Sequence, residues 1–440
     1  MLPVSRSVAL PLKIVLSVAL LTLSITGCEI IQRIGAGFSQ SPEEPVTTST
    51  PTLDFSEQPV LASPTAANET TTLIFWVPPQ LEPVESNPAG MLLSNRLKVF
   101  ENTHPGLKVE LRVKASSGES SLLNSLSVTT AVAPQSLPGL ILLDRSDMET
   151  AALKNLIFPI PNRTAEYATS DWFSFTDSLS SIQGTQFGLP LFADPLVMVY
   201  RRQMVAFPPV TWQELVNQPN PVVFNLNDPS AVIPYSIYLS SGGNLINEEG
   251  RAILEPDALT RTYQTLFNGS SANVFPAWLV EVQTSESVWD AFQKSQATYA
   301  LVWGSQALQN PVENMAVSPL PGDPSVSFVN GWLLCFTNPA NELSRNYLTL
   351  AEFLLEPDFL ARWSETAGYL PAQHSILAKW QDQELASMLA KAAEDLIVIP
   401  PNGIKHQTGS LLNSFGTSLI RRQTSPMQAV LDTLGALEVK

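Results

Sequence analysis

The chain has 440 residues, of which 44% are hydrophobic and 15% are charged, an ordinary balance for a globular protein that is long enough for two cores. Its formal net charge is −16, and its longest basic runs are the pairs Arg201-Arg202 and Arg421-Arg422. We therefore expect no nucleic-acid binding, because phosphate contacts require clustered lysine and arginine.

The first 28 residues are predicted to be a signal peptide. Residues 14–27 are uncharged and mostly apolar, and they are too few for a membrane-spanning helix, which needs roughly 20 such residues. They lead into Ile25-Thr26-Gly27-Cys28, which resembles the lipobox of bacterial lipoproteins. We therefore predict lipidation of Cys28, with an uncleaved anchor or a free cysteine as the alternatives.

Residues 29–72 are predicted to be a disordered tether. From about Ser39 the composition shifts to Ser, Thr, Pro, Glu and Ala, with too few apolar residues to bury a face. Such a segment would hold a folded body away from a membrane surface.

The folded body begins with a β-α-β pattern. Leu73 to Val77 is a continuous apolar run, typical of a strand covered on both faces. Asn87-Pro88 predicts a helix start, and residues 107–113 alternate as a second strand. Leu140 to Asp144 is predicted to be a third buried strand, ending in a carboxylate.

Ligands of open α/β sheets bind beyond the carboxyl ends of strands, which makes Trp76 and Asp144 candidate ligand residues. Asp144 could equally be the cap of a helix that begins near Met148. Arg145 could receive an anionic ligand, whereas an arginine after a strand is more often solvated.

The stretch from Gln183 to Leu215 predicts a strand, a polar kink, a second strand, a turn and a helix. Two apolar runs flank Asp194, and their character gives no reason for a carboxylate there. Thr211 and Glu214 have the spacing of a capping box and predict a helix start. We expect the chain to leave one lobe at Asp194-Pro195 and to enter another across a cleft.

Strands and helices alternate up to about residue 340 and helices dominate afterwards, which indicates an α/β fold with helical additions. Trp303 ends one predicted strand, and Trp332 lies near the start of another. Cys335 within that strand has no partner once Cys28 is lipidated, and we expect a buried small hydrophobe. Gly368 is predicted to end a helix just before Tyr369.

These segments, taken in order, resemble family 1 of the bacterial extracellular solute-binding proteins, the maltose-binding-like components of ABC importers. The resemblance is carried by LIFWVPP, RLKVFENTHPGLKVELR, PGLILLD, GTQFGLPLFADPLVMVYRRQM with PPVTWQEL, SGGNLINEEG, QKSQATYALVWGSQAL, SPLPGD, NGWLLCFTNPANE and AEFLLEPDFLARWSETAGYLP. The chain departs from the family pattern at Arg201, where asparagine is usual.

The resemblance implies a periplasmic-binding-protein-like type II fold, with two α/β lobes, a hinge and a cleft between them. Lobe 1 would comprise residues 73–194 and 327–371, and lobe 2 would comprise residues 195–326 and 372–440. It also implies a monomer at the outer face of the cell membrane that captures a carbohydrate and delivers it to ABC permease subunits.

Sugar sites combine aromatic faces, which stack on pyranose rings, with a few carboxylates and amides that bind hydroxyl groups. The resemblance and the strand ends together nominate six ligand-binding residues: Trp76, Asp144, Asp194, Trp303, Trp332 and Tyr369. The alternative for each tryptophan is a place in the core.

No enzymatic activity is expected. His104, His374 and His406 lie far apart, and the sequence has no metal-ligand spacing, nucleophile elbow or glycine-rich cofactor loop in the body. No cofactor or metal is therefore predicted. Two alternatives stay open: a sensor of the same fold for a non-sugar solute, and a surface glycoside hydrolase, since the separation of paired carboxylates is invisible in a sequence.

Overall fold

The computed structural model describes residues 70–160, 171–337 and 342–438. The predicted signal peptide, Cys28 and the tether up to residue 69 lie outside the described residues. The last two tether residues, Thr71 and Thr72, belong to the first strand. The strands are β1 Thr71–Val77, β2 Leu107–Val113, β3 Leu140–Asp144, β4 Ser181–Ile182, β5 Thr185–Gln186, β6 Gly188–Arg201, β7 Val222–Phe224, β8 Tyr299–Trp303, β9 Met315–Ser318, β10 Ser327–Phe336 and β11 Leu396–Val398.

Within the described residues, nine of these strands form one mixed sheet in the order β2-β1-β3-β10-β6-β8-β7, with β11 beside β10 and β9 beside β6. β1 runs parallel to β2 and β3, whereas β10 runs antiparallel to β3 and β6. β8 is antiparallel to β6 and parallel to β7. The predicted α/β class is therefore confirmed, and the sheet is mixed.

Helices surround this sheet. They are α1 Pro88–Thr103, α2 Leu122–Val132, α3 Arg145–Leu153, α4 Thr176–Ser180, α5 Trp212–Val216, α6 Val232–Ser240, α7 Pro256–Ser271, α8 Ser285–Gln293, α9 Gly304–Gln309, α10 Glu342–Leu354, α11 Pro357–Ala367, α12 His374–Leu377, α13 Gln383–Ala392, α14 Asn402–Ile404, α15 Ser410–Ile420 and α16 Pro426–Glu438. A π-helical turn, Lys405–Gly409, joins α14 to α15.

Strand β1 is buried on both faces, as its apolar sequence predicts. Leu73, Phe75 and Val77 belong to a core cluster shared with buried residues of α1, α10 and α11. Trp76 points to the opposite face and joins the second core cluster, because successive side chains of a strand alternate between faces. This double burial explains why the run from Leu73 to Val77 has no polar position.

Strand β6 corrects one prediction. Instead of two strands separated by a polar kink, Gly188–Arg201 is one continuous strand of 14 residues. Its partner changes along its length: Pro195 is the last residue of β6 that pairs with β10, and Leu196 is the first that pairs with β8. Asp194 therefore lies where one strand passes from one set of neighbours to the next.

The helix starts follow the predicted caps, with one difference. Asn87 accepts a hydrogen bond from the Gly90 amide at the start of α1, and Thr211 accepts one from the Glu214 amide at the start of α5. The Glu214 carboxylate, however, accepts from the amide of Val210 at 2.8 Å, so the reciprocal half of the capping box is displaced by one residue.

The structure confirms one prediction about a single residue and accounts for one departure from the family pattern. Cys335 is fully buried, as expected for a small hydrophobe, and burial raises the pKa of its thiol. Arg201, the departure from the family pattern, donates to the carbonyls of Phe292 and Gln293 at 2.7 and 3.2 Å. It thereby adds side-chain hydrogen bonds to carbonyl groups at the C-terminal end of α8.

Candidate functional site

A cavity of about 260 Å³ opens where β6 changes partners. It is bounded by the ends of β3 and β8, by the starts of α8 and α9, and by the middle of β6 and of β10. The residues that line it are Gln80, Asp144, Asp194, Ser285, Glu286, Trp303, Ser305, Gln306, Gln309, Asn330, Gly331, Trp332 and Tyr369. Five of the six residues nominated from the sequence therefore line this cavity.

Asp194 is the carboxylate at the centre of this arrangement. Its Oδ1 accepts a hydrogen bond from the Ser305 amide at 2.8 Å, and its Oδ2 accepts one from the Ser305 hydroxyl at 2.5 Å. Burial raises the pKa of Asp194 to about 6, and the two hydrogen bonds from Ser305 oppose the shift. The carboxylate thus fixes the first turn of α9 and still faces the cavity.

Tyr369 reaches the cavity because the chain turns sharply after α11. Gly368 has φ of 71°, a left-handed conformation that favours glycine, and it ends the helix as predicted. Leu370 and Ala193 then exchange two backbone hydrogen bonds, which hold this segment against β6 beside Asp194. The Tyr369 ring stacks on Phe192 with 5.4 Å between ring centroids. Burial, with the Asp194 charge, raises the pKa of Tyr369 to about 12.

Asp144 is a helix cap, one of the two roles that its sequence position left open, and it also lies at the cavity, where the other role would place it. It is the N-cap of α3, where its Oδ1 accepts from the Asp147 amide at 2.7 Å, and it also lines the cavity. The helix begins at Arg145, three residues before the Met148 expected from the sequence. A carboxylate has about four acceptor positions, so one capping bond leaves room for a ligand.

Trp303 and Trp332 are half-buried residues at two different edges of the cavity. Trp303 ends β8 and directly precedes α9, while Trp332 lies in β10 opposite Asp144 and Phe192. Beside Trp332, a Cβ atom on Gly331 would lie 2.4 Å from the Phe192 carbonyl oxygen. Glycine is required there because the two strand backbones come too close for any side chain.

Trp76 does not join this group. Its side chain is 2% exposed and packs in the core, with the Lys114 ammonium 4.7 Å from the ring centroid. It is not among the residues that line the cavity, and within the described residues its indole nitrogen has no hydrogen-bond partner. Gln80, which follows the carboxyl end of β1, lines the cavity instead.

A charged cluster lies behind Asp144, between α3 and the π-helical turn. Arg145 is only 9% exposed, so the expectation of a solvated arginine is wrong; it lies 3.5 Å from Glu149 and donates to the Ser181 carbonyl. Lys405 donates to the Ser146 hydroxyl at 2.6 Å, and burial lowers its pKa despite the neighbouring carboxylates. Asn402 adds hydrogen bonds to Ser146, Glu149 and Thr150.

Eight residues that line the cavity were not nominated from the sequence. They are Gln80, Ser285, Glu286, Ser305, Gln306, Gln309, Asn330 and Gly331. Ser305 and Gln306 follow the Trp303-Gly304 strand end, so the rule that nominated Trp303 extends to them. Asn330 and Gly331 lie within β10, where that rule does not apply. Ser285 and Glu286 come from a helix start that carries no such signal.

A second cavity, of about 390 Å³, lies beside α11 and the first residues of β6. Trp172, Leu189, Glu352, Leu360 and Gln373 are among the residues that line it. None of the residues nominated from the sequence lines it. We therefore take the smaller cavity, where those residues converge, as the candidate ligand site.

Two kinds of feature are absent from the described residues. No helix there is long and apolar enough to cross a membrane. Nor does that part of the chain hold a group of three or more His, Cys, Asp or Glu side chains arranged to bind a metal ion.

Residues 95–388 match the family model described as bacterial extracellular solute-binding protein, a match over about two thirds of the chain. The sugar-binding protein MalE of Xanthomonas citri has a similar structure, with a TM-score of 0.66 and 18% identity over 84% of this chain and 97% of that one. Maltose-bound MalE3 of T. maritima has a TM-score of 0.65 and 17% identity, over 84% of this chain and 99% of that one. The GacH receptor of Streptomyces glaucescens, solved unliganded and with acarbose, has a TM-score of 0.64 and 16% identity, over 84% of this chain and 97% of that one. A search of curated protein sequences gives no match.

Proposed function

The chain belongs to the bacterial extracellular solute-binding proteins, and from this premise we propose that it captures a carbohydrate in the cavity at the β6 crossing. The single observation that carries the proposal is the convergence of Trp303, Trp332 and Tyr369 with Asp144 and Asp194 on one cavity. Aromatic faces stack on the apolar faces of sugar rings, and buried acceptors orient the hydroxyl groups. The sugars named with the structural relatives point to the same class of solute.

We further propose that residues 73–194 with 327–371 and residues 195–326 with 372–440 form two lobes that close on the solute. The change of partner in β6 between Pro195 and Leu196 supports a crossing at that point. The start of β10 at Ser327 supports the return. Closure about a hinge would shield the solute from water. Small-angle scattering should show a smaller radius of gyration when a bound saccharide is present.

Delivery to an ABC importer and anchoring through lipidated Cys28 complete the proposal. The lipobox-like sequence and the tether composition support the anchor, since the two or three acyl chains of a lipoprotein hold a protein at a membrane more firmly than one chain does. In cells, the Cys28→Ala protein should be released from the membrane fraction. A processed Cys28→Ala protein that remains bound would show that the anchor is elsewhere.

Binding is tested by titrating the purified chain with oligosaccharides and following both heat and tryptophan fluorescence. Amino acids, peptides, polyamines and carboxylates serve as the matched panel of other solute classes. We expect saturable binding within the saccharide panel, with the saccharide recovered unchanged after prolonged incubation. Binding confined to another class would overturn the carbohydrate assignment, and recovery of cleaved products would instead support a hydrolase.

A further inference from the structure

The cavity carries acidic side chains and no basic ones. Asp144, Asp194 and Glu286 line it, and no lysine or arginine is among the described residues that line it. A site for an acidic solute would need such cations, or free backbone amides, to replace the solvation that the anion loses on entry. The negative charge of the cavity wall should therefore limit which saccharides can enter.

Helix starts are the other common means of binding an anion, and three helices begin at this cavity. In each case a side chain of the protein already accepts a hydrogen bond from one of the free amides. Asp144 accepts from the Asp147 amide at α3, and Asp194 accepts from the Ser305 amide at α9. At α8, Thr284 accepts from the Ser287 amide, and Glu286 adds a negative charge to the same turn.

The nearest cations are bound to other groups behind the wall. Arg145 lies against Glu149, and Lys405 donates to the Ser146 hydroxyl, so neither side chain is directed to the solute. Burial, and after it the charge of Asp144, raises the pKa of Asp147 to about 7, although Lys405 acts in the opposite direction. Both cations act on the carboxylates of Asp144 and Glu149.

Resting on the proposed function, we infer that the cavity admits uncharged and amino-bearing saccharides and excludes acidic ones, and that Asp144, Asp194 and Glu286 exclude them. Carboxylate and amide oxygens accept from hydroxyl or ammonium donors, and the aromatic faces of Trp303 and Trp332 are compatible with sugar rings and with a cation. An added carboxylate would instead face like charges in a partly desolvated space.

The test compares matched saccharides on the full chain by calorimetry. Maltotetraose, cellotetraose and mannotetraose are each measured beside the form whose C6 hydroxyls are oxidised to uronates, and a chitosan tetramer provides the amino-bearing case. We expect each uronate to bind at least tenfold more weakly than its neutral parent. A uronate that binds within threefold of its parent overturns this inference alone. Absence of binding by every saccharide overturns the proposed function itself.

Variants test the named residues. Asp144→Asn removes the charge and keeps an efficient helix cap, because asparagine and aspartate cap equally well. Asp144→Asn, Asp194→Asn and Glu286→Gln should each reduce the preference for the neutral parent over its uronate at least threefold. Asp290→Asn, on the same helix as Glu286 and outside the cavity, should leave that preference unchanged. An unchanged preference in all three cavity variants would overturn the assignment of these residues.

Discussion

Ser305 donates both a backbone and a side-chain hydrogen bond to Asp194, from 111 positions further along the chain. The pair joins the middle of β6 to the first turn of α9, so one carboxylate connects the crossing strand, a helix start and the cavity wall. Because burial raises the pKa of Asp194, its contribution to stability should depend on pH.

The pH dependence of Asp194 can be predicted with its sign. The folded-state pKa is about 6 and the ordinary value is 3.8, so between these values the folded state holds the proton more tightly than the unfolded state. The free energy of unfolding of the wild type, relative to Asp194→Asn, should therefore fall as pH rises from about 4 to about 6 and stay level above that. Urea unfolding at several pH values measures the difference; a difference that rises with pH would contradict the shift.

Ser305→Ala removes one donor and leaves the Asp194 carboxylate with an unsatisfied oxygen. We expect the free energy of unfolding to decrease by about 2 kcal/mol, the usual range for a hydrogen bond to a charged group. Ser418→Ala is the control, because that hydroxyl donates to the exposed backbone carbonyl of Ser414 within α15. Equal losses in the free energy of unfolding for the two substitutions would show that the hydrogen bond to Asp194 stabilises the fold no more than an exposed one.

The aromatic residues of the cavity should be needed for binding and dispensable for folding. Trp303→Ala and Trp332→Ala should each weaken the tightest saccharide found in the titrations at least tenfold, since stacking of this kind contributes on the order of 1 kcal/mol or more per ring. Trp278→Phe, at a partly buried position outside the cavity, controls for the fluorescence change. Calorimetry gives the affinities, and full affinity in both cavity variants would mean that the solute binds elsewhere.

Trp76→Phe separates a core role from a ligand role. Trp76 is 2% exposed and does not line the cavity, so the variant should lose on the order of 1–2 kcal/mol of stability from imperfect packing. Its affinity for the saccharide should remain within twofold of the wild type. A loss of affinity comparable to that of Trp332→Ala would restore Trp76 to the binding site.

Lys405 should stabilise the contact between α3 and the π-helical turn. Lys405→Met removes one cation near Asp144, Glu149 and Asp228 and leaves Arg145 beside Asp144 and Glu149, and we expect a loss of about 2 kcal/mol in the free energy of unfolding. Lys294→Met breaks an exposed pair with Asp290 and should cost only about 0.3–0.5 kcal/mol. Similar values for both lysines in urea unfolding would contradict a stabilising role for Lys405.

Local chemistry determined much of this structure from the sequence alone. The caps at Asn87 and Thr211, the apolar stripe of α1, the helix end at Gly368 and the two-sided burial of β1 depend on neighbours within a few positions or on the character of a short run. Such features can be predicted because their partners are close in sequence. The same reasoning placed Trp303 and Asp144 at strand ends, where α/β folds bind ligands, whereas Trp332 lies in the middle of β10.

Tertiary structure decided what those positions face. Nothing local separates Trp76 from Trp332, since both are tryptophans in apolar strands; the packing of helices on each side of the sheet buries one and leaves the other at the cavity. Likewise, β6 remains one strand through Asp194 because β10 and β8 supply backbone partners from residues more than a hundred positions away. The carboxylate is accommodated there by Ser305, a partner that no short window of the sequence contains.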